Sequence, residues 1–133
     1  MPVISLWQPW AQWIVRDWKQ IETRTHSRFA SLLNQTIAIH ASAKWDNTAL
    51  ELARLYLTKE QIKITEQMDV LESSIIGTAY VYKFEQLHAI HSRFALIDCD
   101  STLGRWGLFL DHIRSIKPIP VKGKQGIWYY EFK

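Results

Sequence analysis

The sequence holds one cysteine, Cys99. An intramolecular disulfide and a cysteine-based zinc site are therefore excluded, and a reducing, cytoplasmic setting is expected. Asp98 and Asp100 flank the thiol, and neighbouring carboxylates raise a thiol's pKa, so Cys99 is a poor nucleophile. No apolar run approaches the roughly 18 residues that a membrane span needs. The opening MPVISLWQPW is too short and too aromatic for a secretory leader. His26, His40, His88, His91 and His112 form no H-x-H or H-E-x-x-H pattern, so no metal is expected. A nucleophile elbow, a phosphate loop and a dinucleotide fingerprint are all missing, and no cofactor is expected.

What is present suits one soluble globular domain, residues 1–133. Apolar residues make up 47% of the chain, enough for a core without staples. Seven tryptophans are many for this length. Each brings a large flat surface and one N–H that wants a partner. Charge is uneven along the chain. Residues 1–111 carry 11 basic and 12 acidic side chains, whereas residues 112–130 carry Arg114, Lys117, Lys122 and Lys124 and no acid. That segment is either a footprint for an anionic partner or a solvated basic loop.

Val3 to Trp7 reads as a strand, and Pro9 fits the first position of a following helix. Trp10, Trp13, Ile14 and Trp18 recur at helical spacing and line one face. Core packing is the reading for Trp13 and Trp18. Ile21 to Thr25 alternates as a strand, with Glu22 and Arg24 on one side. Ser27 to Asn34 reads as a loop and Thr36 to Ala41 as a strand. Thr48 with Glu51, and Thr58 with Gln61, are capping-box patterns that start two helices. Ser74 to Phe84 is a β-rich run whose Gly77 suggests a bulge or a close backbone approach. Gly104 to Phe109 and Ile127 to Phe132 read as strands, with a prolyl stretch and the loop KGKQG, Lys122 to Gly126, between them. The sum is an α+β chain: a small closed or half-closed β-barrel of five to six strands, an N-terminal helix and one or two further helices.

Lys19, Glu22 and Arg24 are the chemistry-bearing group. Their spacing brings an amine, a carboxylate and a guanidinium together at a helix end and a strand face. Such a cluster holds a polar, planar or anionic ligand through the guanidinium fork. A desolvated lysine amine also serves as base or nucleophile. The plain alternative is a surface ion pair worth ~0–1 kcal/mol. His40 is expected at a strand end, where the sites of small barrels open.

The stretch SLWQPWAQWIVRDWKQIETR resembles the opening signature of the ASCH domain family, a PUA-like β-barrel. The matching positions are Ser5, Leu6, Gln8, Pro9, Trp10 and Ala11, then Lys19, Ile21, Glu22 and Arg24. Ile39-His40-Ala41, Ile75-Ile76-Gly77 with Ala79, and the tail Pro118, Pro120, Lys122, Gly123, Gln125, Gly126 and Trp128 continue the likeness over nearly the whole chain. The middle, residues 46–72, matches only in being helical.

The resemblance implies a cleft lined by the K-x-x-E-x-R segment and RNA as partner. One enzymatic branch of that family hydrolyses the acetyl amide of acetylated cytidine with a Lys, a Thr three residues on and a later Glu, and a bacterial member is ascribed ribonuclease activity. Lys19 matches that Lys, whereas Glu22 replaces the Thr; Glu85, Asp98 and Asp100 are candidates for the later acid.

Three functions follow. The first is an RNA or nucleoside binding module with Lys19, Glu22 and Arg24 in its polar cleft, Lys122 and Lys124 at its rim, and Trp7, Gln8, Trp10, His40 and Gln125 as further ligand contacts. Here Trp7 and Trp10 offer stacking faces and Gln8 a base-reading amide. The second is a hydrolase of a modified nucleoside or of RNA, with Lys19 and Glu22 catalytic. The third is a protein-interaction module using exposed aromatics.

Overall fold

A computed structural model of the chain describes residues 1–69 and 72–133. Residues 70 and 71, within the expected helical middle, lie outside it. Six strands form one mixed sheet: β1 (Pro2–Gln8), β2 (Ile21–Arg24), β3 (Thr36–Trp45), β4 (Ser74–Gln86), β5 (Trp106–Pro120) and β6 (Trp128–Tyr129). Their order is β2-β5-β4-β3-β1-β6. β1 runs parallel to β3, and every other pair is antiparallel. The result is an open, barrel-like α+β fold.

Alternation decides which face is core. Ile4 and Leu6 on β1, with Ile37, Ile39 and Ala41 on β3, point one way into the main apolar cluster with Leu108 and Leu110. Each such burial contributes about 1.5–3 kcal/mol. The opposite face of the same two strands carries Val3 and Ala38 at one end, packed under Trp128 and Ile75. Further along that face come Ser5 and Trp7, and His40, Ser42 and Lys44. Ser5 and His40 are register partners across the parallel pair, so they stand side by side.

Helix α1 (Trp10–Val15) is wedged between two clusters. Ala11 and Ile14 enter the barrel core. Trp13, fully buried, packs against Ala49, Ala53, Leu57 and Leu96, and its Nε1 donates to Thr65 Oγ1 at 3.0 Å. Trp18 is half-buried in the same cluster. Pro9 occupies the N-cap, one residue ahead of the expected first helical position, and its carbonyl accepts from Trp13 N–H.

Helices α2 (Ala49–Ala53) and α3 (Lys59–Glu66) follow. At α3 the capping box forms as expected, Thr58 Oγ1 accepting from Gln61 N–H while Gln61 Oε1 accepts from Thr58 N–H. At α2 it does not. Thr48 Oγ1 donates to Asp46 Oδ1 at 2.7 Å, so the hydroxyl is turned back into a local turn. Ser27 to Asn34 is not plain loop: Arg28–Leu32 forms a 3-10 turn that buries Phe29 and Leu32. A short α4 (Ser92–Ala95) lies against β2.

The barrel's long strands exceed the sequence expectation. β5 runs without interruption through Pro118 to Pro120, because it is paired to β4 as far as Ser74↔Pro120. Three register shifts between β4 and β5 let the pair bend. Gly77 sits at one of them. A Cβ there would lie 2.6 Å from the Arg114 carbonyl oxygen and 2.5 Å from Val15 Cγ1, so the close approach read from the sequence is present. The last strand is shorter than Ile127 to Phe132, only Trp128 and Tyr129 pairing with β1.

Among the described residues no helix is long and apolar enough to cross a membrane.

Candidate functional site

The open half of the β1–β3 face forms the floor of a cleft of about 490 Å³. Ser5 and Trp7 come from β1, and His40, Ser42 and Lys44 from β3. Arg24, at the end of β2, and Phe29 form one wall. Ser73 and the loop Lys122 to Gly126 form the other. Four cations face this space, Arg24, Lys44, Lys122 and Lys124, and among the described residues no carboxylate lines it. Trp7 is 51% exposed, with the Lys44 ammonium 5.3 Å from its ring centre.

Arg24 is held from two sides. Its guanidinium lies over the Phe29 ring at 4.4 Å, and Nη2 is 3.3 Å from Glu22 Oε2. Nε is buried without a hydrogen-bond partner among the described residues, and buried Nη2 has only its ion-pair contact with Glu22. Donors that are buried and unsatisfied carry a desolvation cost that an anionic acceptor would remove.

His40 is 1% exposed. Its Nε2–H donates to the Val121 carbonyl at 2.7 Å, and in the neutral ring Nδ1 is then the acceptor nitrogen. Trp128 packs edge-on against the ring and donates through Nε1 to Ser5 Oγ at 3.0 Å. Gly123 crosses directly above. A Cβ there would lie 2.5 Å from His40 Cε1 and 2.7 Å from Ser5 Oγ, so only glycine fits.

Lys19 and Glu22 stand behind this cleft. They line a second cavity of about 230 Å³ with Trp10, Thr23 and Asp46. Lys19 lies past the end of α1 and is 1% exposed. Its Nζ donates to the Ala95 carbonyl at 2.6 Å, is 3.7 Å from Glu22 Oε1 and sits 5.1 Å from the Trp10 ring centre. Burial pushes its pKa below the usual lysine value, against the opposing pull of the Glu22 charge. Asp46 accepts from Trp10 Nε1 at 2.8 Å and from Thr48. Burial pushes the Asp46 carboxyl up, but these hydrogen bonds together hold it below the usual range.

The residues expected to share one site are thus divided. Trp7, Arg24, His40, Lys122, Lys124 and Gln125 meet at the cationic cleft. Trp10, Lys19 and Glu22 meet in the inner cavity. Glu22 joins the two, one oxygen toward Lys19 and the other toward Arg24. Gln8 belongs to neither. It is buried, and its Oε1 accepts from Gln12 N–H at the start of α1, so it serves the helix end. Cys99 is buried, and burial is the main force raising its pKa, with Asp98 a minor one.

Ser5, Ser42 and Lys44 were missed by the sequence reading. The signal was there: His40, Ser42 and Lys44 continue the two-residue period past Ala41, where the strand had been ended. Among the described residues no group of three or more His, Cys, Asp or Glu side chains is arranged to hold a metal ion.

No protein-family model matches the sequence, and no curated protein matches it. Solved structures do. The crystal structure of ASCH from Zymomonas mobilis is similar over 98% of this chain and 87% of that one, with a TM-score of 0.61 at 18% identity. Two substitution variants of that protein, one Tyr-to-Phe and one Ser-to-Ala, give TM-scores of 0.57 at 18% identity, again over 98% of this chain. The fold is that of the ASCH structures.

Proposed function

We propose that this chain, which has the fold of the ASCH structures, is an RNA-binding module whose ligand lies in the cleft between Trp7, Arg24 and the loop at Lys122 to Gly126. One observation carries the reading: four cations and an exposed indole converge on one cleft whose lining contains no carboxylate. Phosphates need the cations, and a base needs the flat face. Stacking on an aromatic side chain contributes ~1–3 kcal/mol per base, and Lys44 beside the indole supplies charge at the same point. Arg24 lines the cleft while Glu22 and Phe29 hold the guanidinium in place.

The test is fluorescence anisotropy with a labelled single-stranded RNA decamer. Trp7→Ala is expected to weaken binding about tenfold, and Arg24→Ala by at least as much. Unchanged affinity in both variants would remove this cleft from the account.

A second reading, a hydrolase of a modified nucleoside, is favoured by Lys19. A buried amine with a lowered pKa, beside a carboxylate and a cavity, is a reactive arrangement. In that reading Glu22 takes a proton from water and Lys19 holds the carbonyl oxygen of an acetyl amide as the water adds; the C–N bond of the adduct then breaks, the cytidine amine takes the proton from Glu22, and acetate leaves. Incubation with acetylated cytidine, read by chromatography, tests it. Release of cytidine that Lys19→Met abolishes supports it, and no release removes it.

A further inference from the structure

The cationic cleft contains one buried acceptor that no phosphate can satisfy. His40 Nε2 is committed as a donor to the Val121 carbonyl, and a carbonyl can only accept. Nδ1 of the neutral ring therefore has a bare lone pair. It is buried, and no donor reaches it among the described residues. Ser5 stands beside it, but Ser5 Oγ accepts from Trp128 and makes no hydrogen bond to the imidazole. The charged groups around it, Arg24, Lys44, Lys122 and Lys124, are donors only. An oxyanion would satisfy those four and leave Nδ1 dry.

The cover over this atom is light. Gly123 is the residue above the ring, and any Cβ at that position would come within 2.7 Å of Nδ1. Val121 N–H is tied to the Ser73 carbonyl, but among the described residues no backbone hydrogen bond ties down Lys122 to Gly126. For a ligand to reach Nδ1 this loop must lift from the ring, and Lys122 and Lys124 belong to the same loop.

We propose that His40 Nδ1 is a specificity-determining acceptor. On this proposal it takes a hydrogen bond from a donor of the bound nucleotide, either a ribose hydroxyl or a base N–H, while the surrounding cations hold the phosphates. This rests on the RNA-binding reading and narrows it: the ligand must bring a neutral donor as well as negative charge. Inorganic phosphate or a polyanion without such a donor fills only half of the site.

The test uses the full chain with nitrogen-15 in its histidine rings and three decamers: uridine, deoxyuridine and 3-methyluridine. The His40 signal is assigned by its loss in His40→Gln. In the free protein Nδ1 is expected to resonate as an unprotonated nitrogen. The uridine decamer is expected to shift that signal, and inorganic phosphate is not. One of the two altered decamers is expected to bind about tenfold more weakly and to leave the signal in place, because an unpaired buried acceptor is costly. Loss with deoxyuridine identifies the ribose hydroxyl, and loss with 3-methyluridine identifies the base N–H. If uridine decamer binds, the signal stays still and all three decamers bind alike, His40 has no such role although the RNA-binding reading stands. If uridine decamer does not bind at all, both fall together.

Discussion

Lys19 is the buried ion of the inner cavity. A lysine amine with almost no exposure is costly in its charged form, and here one carboxylate and one carbonyl share the compensation. The direction of its pKa gives a pH signature. In the unfolded chain the amine keeps its proton up to about pH 10.5, whereas in the folded chain it gives it up at lower pH. Between those two values the unfolded state binds more protons, so stability rises with pH across that window. Urea midpoints measured from neutral pH toward pH 10 are expected to climb for the wild type relative to Lys19→Met. Parallel curves would mean that Lys19 is not desolvated as described.

Gly123 gives a second residue-scale prediction. A methyl group there meets the packed imidazole of His40 and the Ser5 hydroxyl, neither of which is the free end of a flexible side chain. Gly123→Ala is expected to cost about 1–3 kcal/mol, read as a drop in the denaturation midpoint.

At the scale of elements, local chemistry and pairing compete. At α3, Thr58 and Gln61 satisfy each other's backbone, and Thr58→Ala is expected to cost about 1 kcal/mol. Calorimetry or a urea midpoint checks this, and Thr48→Ala, which removes no helix cap, is expected to leave α2's start less affected.

The same comparison shows what the sequence could say. Strands with strict alternation, Val3 to Trp7 and Ile21 to Thr25, were legible because one buried face dictates the pattern. β5 was legible only as far as Phe109, since its prolines signal a break and only the pairing with β4 overrides them. The grouping of Lys19, Glu22 and Arg24 was legible from spacing, and Glu22 does contact both. Their division between two cavities was not. It depends on Glu22 turning one oxygen to each side and on α4 placing the Ala95 carbonyl against Lys19, a long-range contact that spacing does not show. Gln8 illustrates the reverse error: a side chain that suits a base edge suits a helix start equally well.

For the whole molecule, the distribution of charge matters more than its sum. The formal net charge is only +3, yet the fold gathers Arg24 from β2, Lys44 from β3 and Lys122 and Lys124 from the C-terminal loop around one opening. Residues far apart in sequence are brought together because β1 and β3 lie side by side, and Arg24 at the end of β2 and the loop Lys122 to Gly126 line the same cleft. A ligand that neutralises these cations releases counterions from its own backbone, with a slope of roughly −0.7 per phosphate for a single strand. The account therefore predicts that log affinity for single-stranded RNA falls linearly with log salt, with a slope of about −2 to −3.

The most direct test is that salt titration, run with wild type and with Lys124→Ala by anisotropy on a labelled RNA decamer. A linear decline whose slope becomes shallower by about 0.7 in Lys124→Ala is the predicted result. Affinity that ignores salt, or a slope that Lys124→Ala leaves unchanged, would contradict the assignment of this cleft to RNA.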